Sequence, residues 1–130
     1  MLEQPRRLLL DTNVLVWMLL GDRESVSQPA REALADPRNE LLLSAVSMWE
    51  IAIKRSLGKL EIEATWAREA TRLDCLKLPI TAEHAVAVEG LSWHHRDPFD
   101  RLLVAQAGVE QCTLVSADAR LRAYDVPVLW

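Results

Sequence analysis

The sequence predicts an α/β fold in which a mostly parallel central sheet is flanked by helices on both faces. Short apolar runs alternate along the chain with segments whose apolar residues recur three or four positions apart, which is the pattern of strands alternating with helices. Polar residues that favour helix starts directly follow several of these runs. Parallel strands need helical crossovers, which cover both faces of a sheet. Because the chain has 130 residues, half of them apolar, we expect one domain over residues 1–130.

The predicted strands are short apolar runs bounded by polar or turn-forming residues. They cover residues 7–10, 40–43, 76–78, 113–115 and 126–130. The last one contains Pro127, which has no N–H to donate, so we expect it at an edge of the sheet. The start of the chain, basic and then apolar, resembles a signal peptide. However, Asp11 and Asn13 interrupt the apolar run and no clean cleavage site follows, which favours a strand.

The predicted helices combine apolar residues at helical spacing with recognisable start and stop residues. They cover residues 14–19, 27–35, 47–57, 64–73, 82–91 and 101–107, and a short helix is predicted to open at Asp118. In the third helix, Trp49, Ile53 and Leu57 fall on one apolar face, and Gly58 stands at the expected end.

Composition argues against several classes of protein. The formal net charge of -4 speaks against a broadly basic surface for nucleic acid, although carboxylates in a metal site contribute to that charge and meet a substrate only after cations have offset them. Neither of the glycine-rich phosphate loops GxGxxG and GxxxxGK(S/T) occurs. Cys75 and Cys112 stand far apart without a CxxC motif, so we expect reduced thiols and no zinc site. No apolar stretch approaches the roughly 20 residues that a membrane span needs, so we expect a soluble, cytoplasmic protein.

Five acidic residues are candidates for a shared site, and each also has a simpler explanation. They are Asp11, Glu50, Asp97, Asp100 and Asp118. Three of the aspartates stand where helices begin, and aspartate is a favoured N-cap. The cap pattern is clearest before the sixth helix, where Asp97 precedes Pro98 at the first helical position and Asp100 at the third. The glutamate could be a solvated partner of Lys54, four residues further along its helix.

Convergence of these acids would instead define a metal site. The strand-to-helix turns of a parallel sheet lie along its carboxyl edge, so we expect Asp11 and Asp118 at the same edge. Carboxylates that are brought together repel one another, which raises their pKa values or requires a cation. Oxygen ligands without Cys or His favour Mg²⁺ or Mn²⁺. Such a cluster suits the hydrolysis of phosphodiester bonds.

Four blocks of the sequence resemble, in order, the successive motifs of PIN-domain toxins of the VapC type. The blocks are LLLDTNVLVW, SAVSMWEIAIKRSLGKL, HHRDPFDRLLVAQA and LVSAD, and the resemblance spans nearly the whole chain. It implies a PIN-like three-layer α/β sandwich, ribonuclease activity on structured RNA such as tRNA or ribosomal RNA, and a homodimer. It also implies that the protein is the toxin of a toxin–antitoxin pair and is held silent by a cognate antitoxin.

The resemblance also implies roles for the acids, with Mg²⁺ or Mn²⁺ as the cofactor. Carried over block by block, the catalytic acids are Asp11, Glu50, Asp100 and Asp118. Asp97 is ambiguous as a ligand because it suits an N-cap. Asp100 stands three residues before Leu103, as the family's acid stands before its apolar run, so we rank Asp100 as the ligand and Asp97 as a residue that supports it.

The implied mechanism uses one or two metal ions. Asp11, Asp100 and Asp118 would hold an ion that orients a water for in-line attack on phosphorus, and Glu50 would hold the water or a second ion. Hydroxyls and basic side chains are candidates for further contacts, the latter with RNA phosphates: Thr12, Ser116, Lys54, Arg55, Arg96 and Arg101.

Two observations concern the surroundings of the predicted site. His94 and His95 are expected to be surface residues beside it, with no role as a base. Where the family often has Thr-Arg-Asp in the fourth block, this chain has Ser116-Ala117-Asp118. The missing arginine puts local phosphate contacts in doubt, but not the metal site.

Rival classes remain. Asp11-Thr12-Asn13-Val14 resembles the DxDx(T/V) motif of haloacid-dehalogenase-like phosphatases, but Asn13 cannot donate the proton that the second aspartate supplies. A response-regulator receiver domain would need paired acids before the first helix, and the chain has none there. The non-enzymatic alternative is an α/β domain that binds a partner, with the carboxylates as helix caps and five tryptophans as apolar contact area.

Overall fold

The central sheet has five parallel strands, as the sequence predicts. The structure, a computed structural model, describes residues 4–130, so the first three residues of the basic start lie outside the described part. The strands are β1 (Arg7–Leu10), β2 (Glu40–Ser44), β3 (Leu76–Leu78), β4 (Thr113–Val115) and β5 (Val128–Leu129). Their order in the sheet is β3-β2-β1-β4-β5, and every neighbouring pair is parallel. β5 is shorter than predicted and lies at an edge, as Pro127 indicates.

All six predicted helices are present. They are α1 (Thr12–Leu20), α2 (Gln28–Ala35), α3 (Ala45–Ser56), α4 (Trp66–Arg72), α5 (Ala82–Ala87) and α6 (Pro98–Glu110). Two 3-10 turns, Val88–Gly90 and Ala119–Ala123, follow α5 and β4. α3 begins two residues earlier than predicted because the hydroxyl of Ser44 accepts a hydrogen bond of 2.9 Å from the N–H of Val46.

The predicted apolar face of α3 is wrong. Trp49 and Leu57 are exposed, whereas the helix buries Val46, Ser47, Glu50 and Ile51. The buried face is therefore centred on a charged residue, which the apolar periodicity of the sequence did not indicate.

The sheet is the middle layer of three, and apolar clusters fill the space between it and the helices on both faces. Leu8 and Leu10 of β1 pack in one cluster with residues of α1 and α2, while Leu9 points the other way into a cluster with residues of α6. All three leucines are buried, as expected for a parallel strand covered on both faces.

Strand register sets the position of the candidate site. Leu10 of β1 is paired with Val115 of β4, and the N–H of Asp11 donates a hydrogen bond of 3.0 Å to the carbonyl of Val115. The residues that directly follow these two strands, Asp11 and Ser116, therefore lie side by side at the carboxyl edge of the sheet. This is the placement that the alternation of strands and helices predicts.

Other expectations concern the thiols and the membrane. Cys75 and Cys112 are free cysteines, in agreement with the prediction. Within residues 4–130, no helix is both long and apolar enough to cross a membrane.

Candidate metal centre

Asp11 is a buried carboxylate held by a hydroxyl from a neighbouring strand end. It is the residue before α1, but its side chain makes no capping hydrogen bond within the described chain. Instead, Oδ2 accepts a hydrogen bond of 2.6 Å from the hydroxyl of Ser116, and the residue is only 4% exposed. Burial raises the pKa of Asp11, and the bond from Ser116 opposes that effect. Capping therefore does not explain Asp11.

Asp118 lies on the same edge of the sheet and is tied to Ser116 and to an arginine. Its N–H donates to the Ser116 hydroxyl at 3.1 Å, and its Oδ1 caps the following 3-10 turn by accepting from the N–H of Arg120 at 3.0 Å. The Arg120 guanidinium also donates to both carboxylate oxygens, which lowers the pKa of Asp118 to about 2. Asp118 is thus both a cap and a member of the acidic cluster, and a nearby arginine is supplied from outside the expected fourth block.

His95 joins two of the acids, which the sequence did not predict. Its Nε2 lies 2.9 Å from Oδ2 of Asp118 and 3.1 Å from Oδ2 of Asp100. The expectation of a surface position holds for His94, which is exposed, but is wrong for His95, which is 6% exposed. Its ring contacts Asp118, 23 residues further along the chain, and local periodicity carries no signal of that contact.

Asp97 and Asp100 differ in their roles at the start of α6. Oδ1 of Asp97 accepts hydrogen bonds from the N–H groups of Phe99, at 2.8 Å, and Asp100, at 3.2 Å, so Asp97 is the N-cap that the sequence predicts. The side chain of Asp100 is 18% exposed. Its pKa is raised to about 7, first by burial and then by the negative charges of the other four acids of the cluster, Asp11, Asp97, Glu50 and Asp118.

Glu50 reaches this cluster from α3. Oε2 forms an ion pair of 2.7 Å with Lys54, as the spacing predicts, but the glutamate is only 5% exposed and is therefore not the solvated partner that the simpler explanation describes. Its Oε1 is buried and has no hydrogen-bond partner in the described part of the chain. Its charge also raises the pKa of Asp11 and of Asp100. A buried carboxylate oxygen without a partner is costly, so the site suits a cation or a bound water.

Several residues predicted to contact substrate are already engaged within the protein. The hydroxyls of Thr12 and Ser47 hydrogen-bond to each other at 2.9 Å and are buried. Arg55 donates to the carbonyl of Ile62 at 3.1 Å. Arg96 is exposed and stays available for a phosphate.

Arg101 is a correction to the set of predicted phosphate contacts. It is 3% exposed, and its guanidinium lies 3.7 Å from the centre of the Trp93 ring. Its donors face main-chain carbonyls and one hydroxyl, those of Val88, Leu91, Ser92, His95 and Tyr124. These contacts hold together the segment that leads into α6. Val104 and Ala105, one turn further along α6, are apolar, and that spacing is the sequence signal that could have placed Arg101 on the buried face of the helix. Both residues are buried.

The donor set fits a hard divalent cation. One ligand atom each from His95, Asp100 and Asp118 lies within 4.8 Å of the other two. Within residues 4–130, the predicted ligands Asp11, Asp97 and Glu50 are not members of that close group, although their negative charges act on Asp100. The raised pKa of Asp100 and the Glu50 oxygen that lacks a partner in the described part of the chain both indicate excess negative charge that a cation would offset. Carboxylate oxygens are the ligands that Mg²⁺ and Mn²⁺ prefer.

A parallel five-stranded α/β domain with an acidic cluster at its carboxyl edge is the class that fold and site define. Residues 8–127 match the family model of the PIN domain. The chain therefore belongs to the PIN domain family, and the predicted fold class is confirmed.

A curated ribonuclease is similar to part of the chain in sequence. A stretch of 58 residues is 43% identical to "Ribonuclease VapC16" of Mycobacterium tuberculosis (strain ATCC 25618 / H37Rv) and covers 42% of this chain and 40% of that protein. The match thus spans about two fifths of the length of this curated relative.

Solved structures resemble the whole domain. DNA-bound VapBC from Salmonella typhimurium has a TM-score of 0.68 at 15% identity and covers 95% of this chain and 97% of that one. VapBC-1 from nontypeable Haemophilus influenzae has a TM-score of 0.68 at 16% identity, with 95% and 96% covered. A toxin–antitoxin complex from Klebsiella pneumoniae has a TM-score of 0.66 at 19% identity, with 94% and 95% covered. These similarities establish a shared fold.

Proposed function

We propose that the protein is a metal-dependent endoribonuclease that acts in the cytoplasm on structured RNA, as the toxin of a toxin–antitoxin pair. The observation that carries this proposal is the acidic cluster, in which the pKa of Asp100 is raised to about 7 and one buried oxygen of Glu50 has no partner within residues 4–130. Membership of the PIN domain family supports it, as do the sequence similarity to a ribonuclease and the structural similarity to toxin–antitoxin complexes.

Asp11, Asp100 and Asp118 would hold Mg²⁺ or Mn²⁺, with Glu50 holding the attacking water or a second ion. A bound divalent cation lowers the pKa of a water for in-line attack on phosphorus and offsets charge on the leaving oxygen. The chain's own contribution is to fix the carboxylates. Ser116 holds the Asp11 carboxylate, and Lys54 holds one oxygen of Glu50, whose other oxygen has no hydrogen-bond partner among the described residues.

Asp97 has a structural role that differs from the role of the catalytic acids. Its Oδ1 is used by two N–H groups of α6, so it supports the site by fixing the start of the helix that carries Asp100. Its charge still contributes to the raised pKa of Asp100.

An antitoxin is the partner that this acidic edge suits. Arg120 donates to both oxygens of Asp118, which illustrates that the edge accepts a guanidinium. A basic side chain from an antitoxin tail would engage the same carboxylates and compete with the cation. Loss of inhibition when that side chain is replaced supports this contact, and inhibition that persists argues against it. A homodimer is part of the proposal and is tested by the mass of the purified protein in solution.

Metal binding is tested by thermal melting of EDTA-treated protein with and without Mn²⁺. We expect Mn²⁺ to raise the Tm of the wild type, because a ligand that binds only the folded state stabilises it. Asp11→Asn should lose this increase, whereas the exposed Asp74→Asn should retain it. An unchanged Tm in the wild type would leave the non-enzymatic alternative, a partner-binding domain.

Catalysis is tested by incubating the same proteins with total RNA and Mn²⁺. We expect cleavage by the wild type and by Asp74→Asn, and none by Asp11→Asn or Glu50→Gln. Cleavage that survives both active-site substitutions would refute the assignment. A phosphatase of the haloacid-dehalogenase type would instead release phosphate from a monoester and leave RNA intact.

A further inference from the structure

The imidazole of His95 lies between two acids of the cluster. The implied mechanism gives this imidazole no role. Its Nε2 hydrogen-bonds to Oδ2 of Asp118 at 2.9 Å and lies 3.1 Å from Oδ2 of Asp100. The ring is almost completely buried. By position alone it could be a third metal ligand together with these two aspartates.

The hydrogen bond at Nδ1 shows whether Nε2 is a metal ligand or a hydrogen-bond donor. Nδ1 accepts a hydrogen bond of 3.0 Å from the N–H of Asp97, so Nδ1 carries a lone pair and the proton lies on Nε2. A metal ion on Nε2 would require the proton to move to Nδ1. Two N–H groups would then face each other at the contact with Asp97, and that arrangement is unfavourable.

Hydrogen bonds to buried side chains also hold the backbone of His95. The N–H of His95 donates to the hydroxyl of Tyr124 at 3.0 Å, and the same hydroxyl accepts from Arg101 at 3.2 Å. Tyr124 and Arg101 are both buried. The segment that carries the imidazole is therefore held in place before any ion or substrate arrives.

From these contacts we propose that His95 is a positioning residue: as an Nε2–H donor that is not a metal ligand, it holds the carboxylate of Asp118 beside that of Asp100. This inference rests on the proposed function in that the two carboxylates are taken to bind a divalent cation. The donor places partial positive charge between two oxygens that otherwise repel each other. Loss of such a supporting contact typically weakens metal binding by about 10- to 100-fold.

Two substitutions separate the two ring nitrogens. Gln can place an N–H where Nε2 lies, whereas Asn can accept from the N–H of Asp97 but is too short to reach the two aspartates. We expect His95→Gln to keep the Mn²⁺ affinity within about threefold of the wild type. We expect His95→Asn to weaken it by about tenfold or more, as measured by electron paramagnetic resonance of free Mn²⁺ in titrations. Circular dichroism confirms that both variants are folded.

Two spectroscopic measurements test the tautomer and the ligand set directly. In metal-free protein, long-range ¹H–¹⁵N correlation spectra should show His95 with its proton on Nε2. With Mn²⁺ bound, electron spin echo modulation should show no nitrogen of His95 coordinated to the ion. The wild type and His95→Gln should therefore give the same nitrogen modulation. A proton on Nδ1, or a nitrogen coupling that His95→Gln removes, would overturn the proposal. So would equal Mn²⁺ affinities for the Asn and Gln variants.

The outcomes distinguish this inference from the proposed function. If the wild type binds Mn²⁺ and cleaves RNA but His95→Asn binds Mn²⁺ equally well, only the role of His95 fails. If the wild type and the Gln variant bind Mn²⁺ as expected but RNA is not cleaved, the proposed function fails and the positioning role stands. Failure of the wild type to bind Mn²⁺ overturns both.

Discussion

The hydroxyl of Ser116 donates a hydrogen bond of 2.6 Å to the carboxylate of Asp11, although 105 residues separate the two in sequence. The same hydroxyl accepts from the N–H of Asp118. It therefore links the acids that follow β1 and β4, and it opposes the effect of burial on the pKa of Asp11.

We expect Ser116→Ala to destabilise the metal-free protein by about 1 to 3 kcal/mol, because a buried carboxylate loses its donor. Weaker Mn²⁺ binding should accompany the loss, since Asp11 would be less firmly placed and harder to ionise. Urea denaturation and Mn²⁺ titration measure the two effects.

Ser25→Ala is the matched control for this substitution. Ser25 also donates to an aspartate, Asp22, at 2.6 Å, but that pair is exposed. The control should change the free energy of unfolding little and leave Mn²⁺ affinity intact. Equal effects of the two substitutions would argue against a special role for the Ser116 hydroxyl.

Asp100 should make the stability of the metal-free protein depend on pH. Its pKa is about 7 in the folded protein, against an ordinary value of 3.8, so the folded state binds the proton more tightly than the unfolded state. The contribution of Asp100 to the free energy of unfolding is therefore fully present below about pH 4 and is lost as the pH rises through 7. We expect a loss on the order of 2 kcal/mol, discounted for partial exposure.

Urea denaturation in EDTA between pH 4.5 and 7.5 measures this dependence. Asp100→Asn removes this titrating group and should make the decline smaller, leaving the part that comes from the raised pKa of Asp11. Asp118 has the opposite shift, with its pKa lowered to about 2, and its contribution is lost only as the pH falls below about 4. A decline of the same steepness in Asp100→Asn would mean that another group causes it.

Asp97 and Asp100 should respond differently to amide substitution. Asn is as good an N-cap as Asp, so we expect Asp97→Asn to keep the free energy of unfolding within about 0.5 kcal/mol and Asp97→Ala to lower it by about 1 kcal/mol. Asp97→Asn should retain most of the Mn²⁺ affinity, whereas Asp100→Asn should abolish binding. Calorimetric titration measures both affinities, and the reverse ranking would make Asp97 the ligand.

Arg101 should matter for stability more than for contacts with RNA. Because Arg101→Ala takes the guanidinium donors from four main-chain carbonyls and removes the packing on Trp93, we expect a loss of about 2 to 4 kcal/mol in the free energy of unfolding. The exposed Arg96→Ala should change the free energy of unfolding by less than about 0.5 kcal/mol. Unchanged stability in Arg101→Ala, together with weaker RNA binding, would restore Arg101 as a phosphate contact.

The fold was predictable because local patterns determine most of it. Each strand is a short apolar run, and the helices that follow carry their own start residues. The shared position of Asp11 and Asp118 followed from one rule, that the carboxyl ends of parallel strands meet at one edge. The predicted strand and helix boundaries differ from the observed ones by a few residues where a side chain such as that of Ser44 acts as a cap.

The site was predictable only as far as each residue's placement depends on its own element. His95 is buried, and its ring contacts the carboxylate of Asp118 and the N–H of Asp97. Neither contact leaves a periodic pattern in the sequence. Arg101 is a charged residue on a buried helix face, and its charge led us to expect exposure. Glu50 is buried as well, whereas the sequence left open whether it belongs to the site or is a solvated partner of Lys54. Their burial follows from partners that only the assembled fold supplies.

The central claim is that the acidic cluster binds the ion that RNA cleavage requires. The most direct measurement is a Mn²⁺ titration of metal-free protein that follows the Tm and the rate of RNA cleavage in the same samples. We expect both to rise with the same half-saturating concentration in the wild type and neither to rise in Asp11→Asn. Cleavage in the presence of excess EDTA, or cleavage by Asp11→Asn at the rate of the wild type, would contradict the claim.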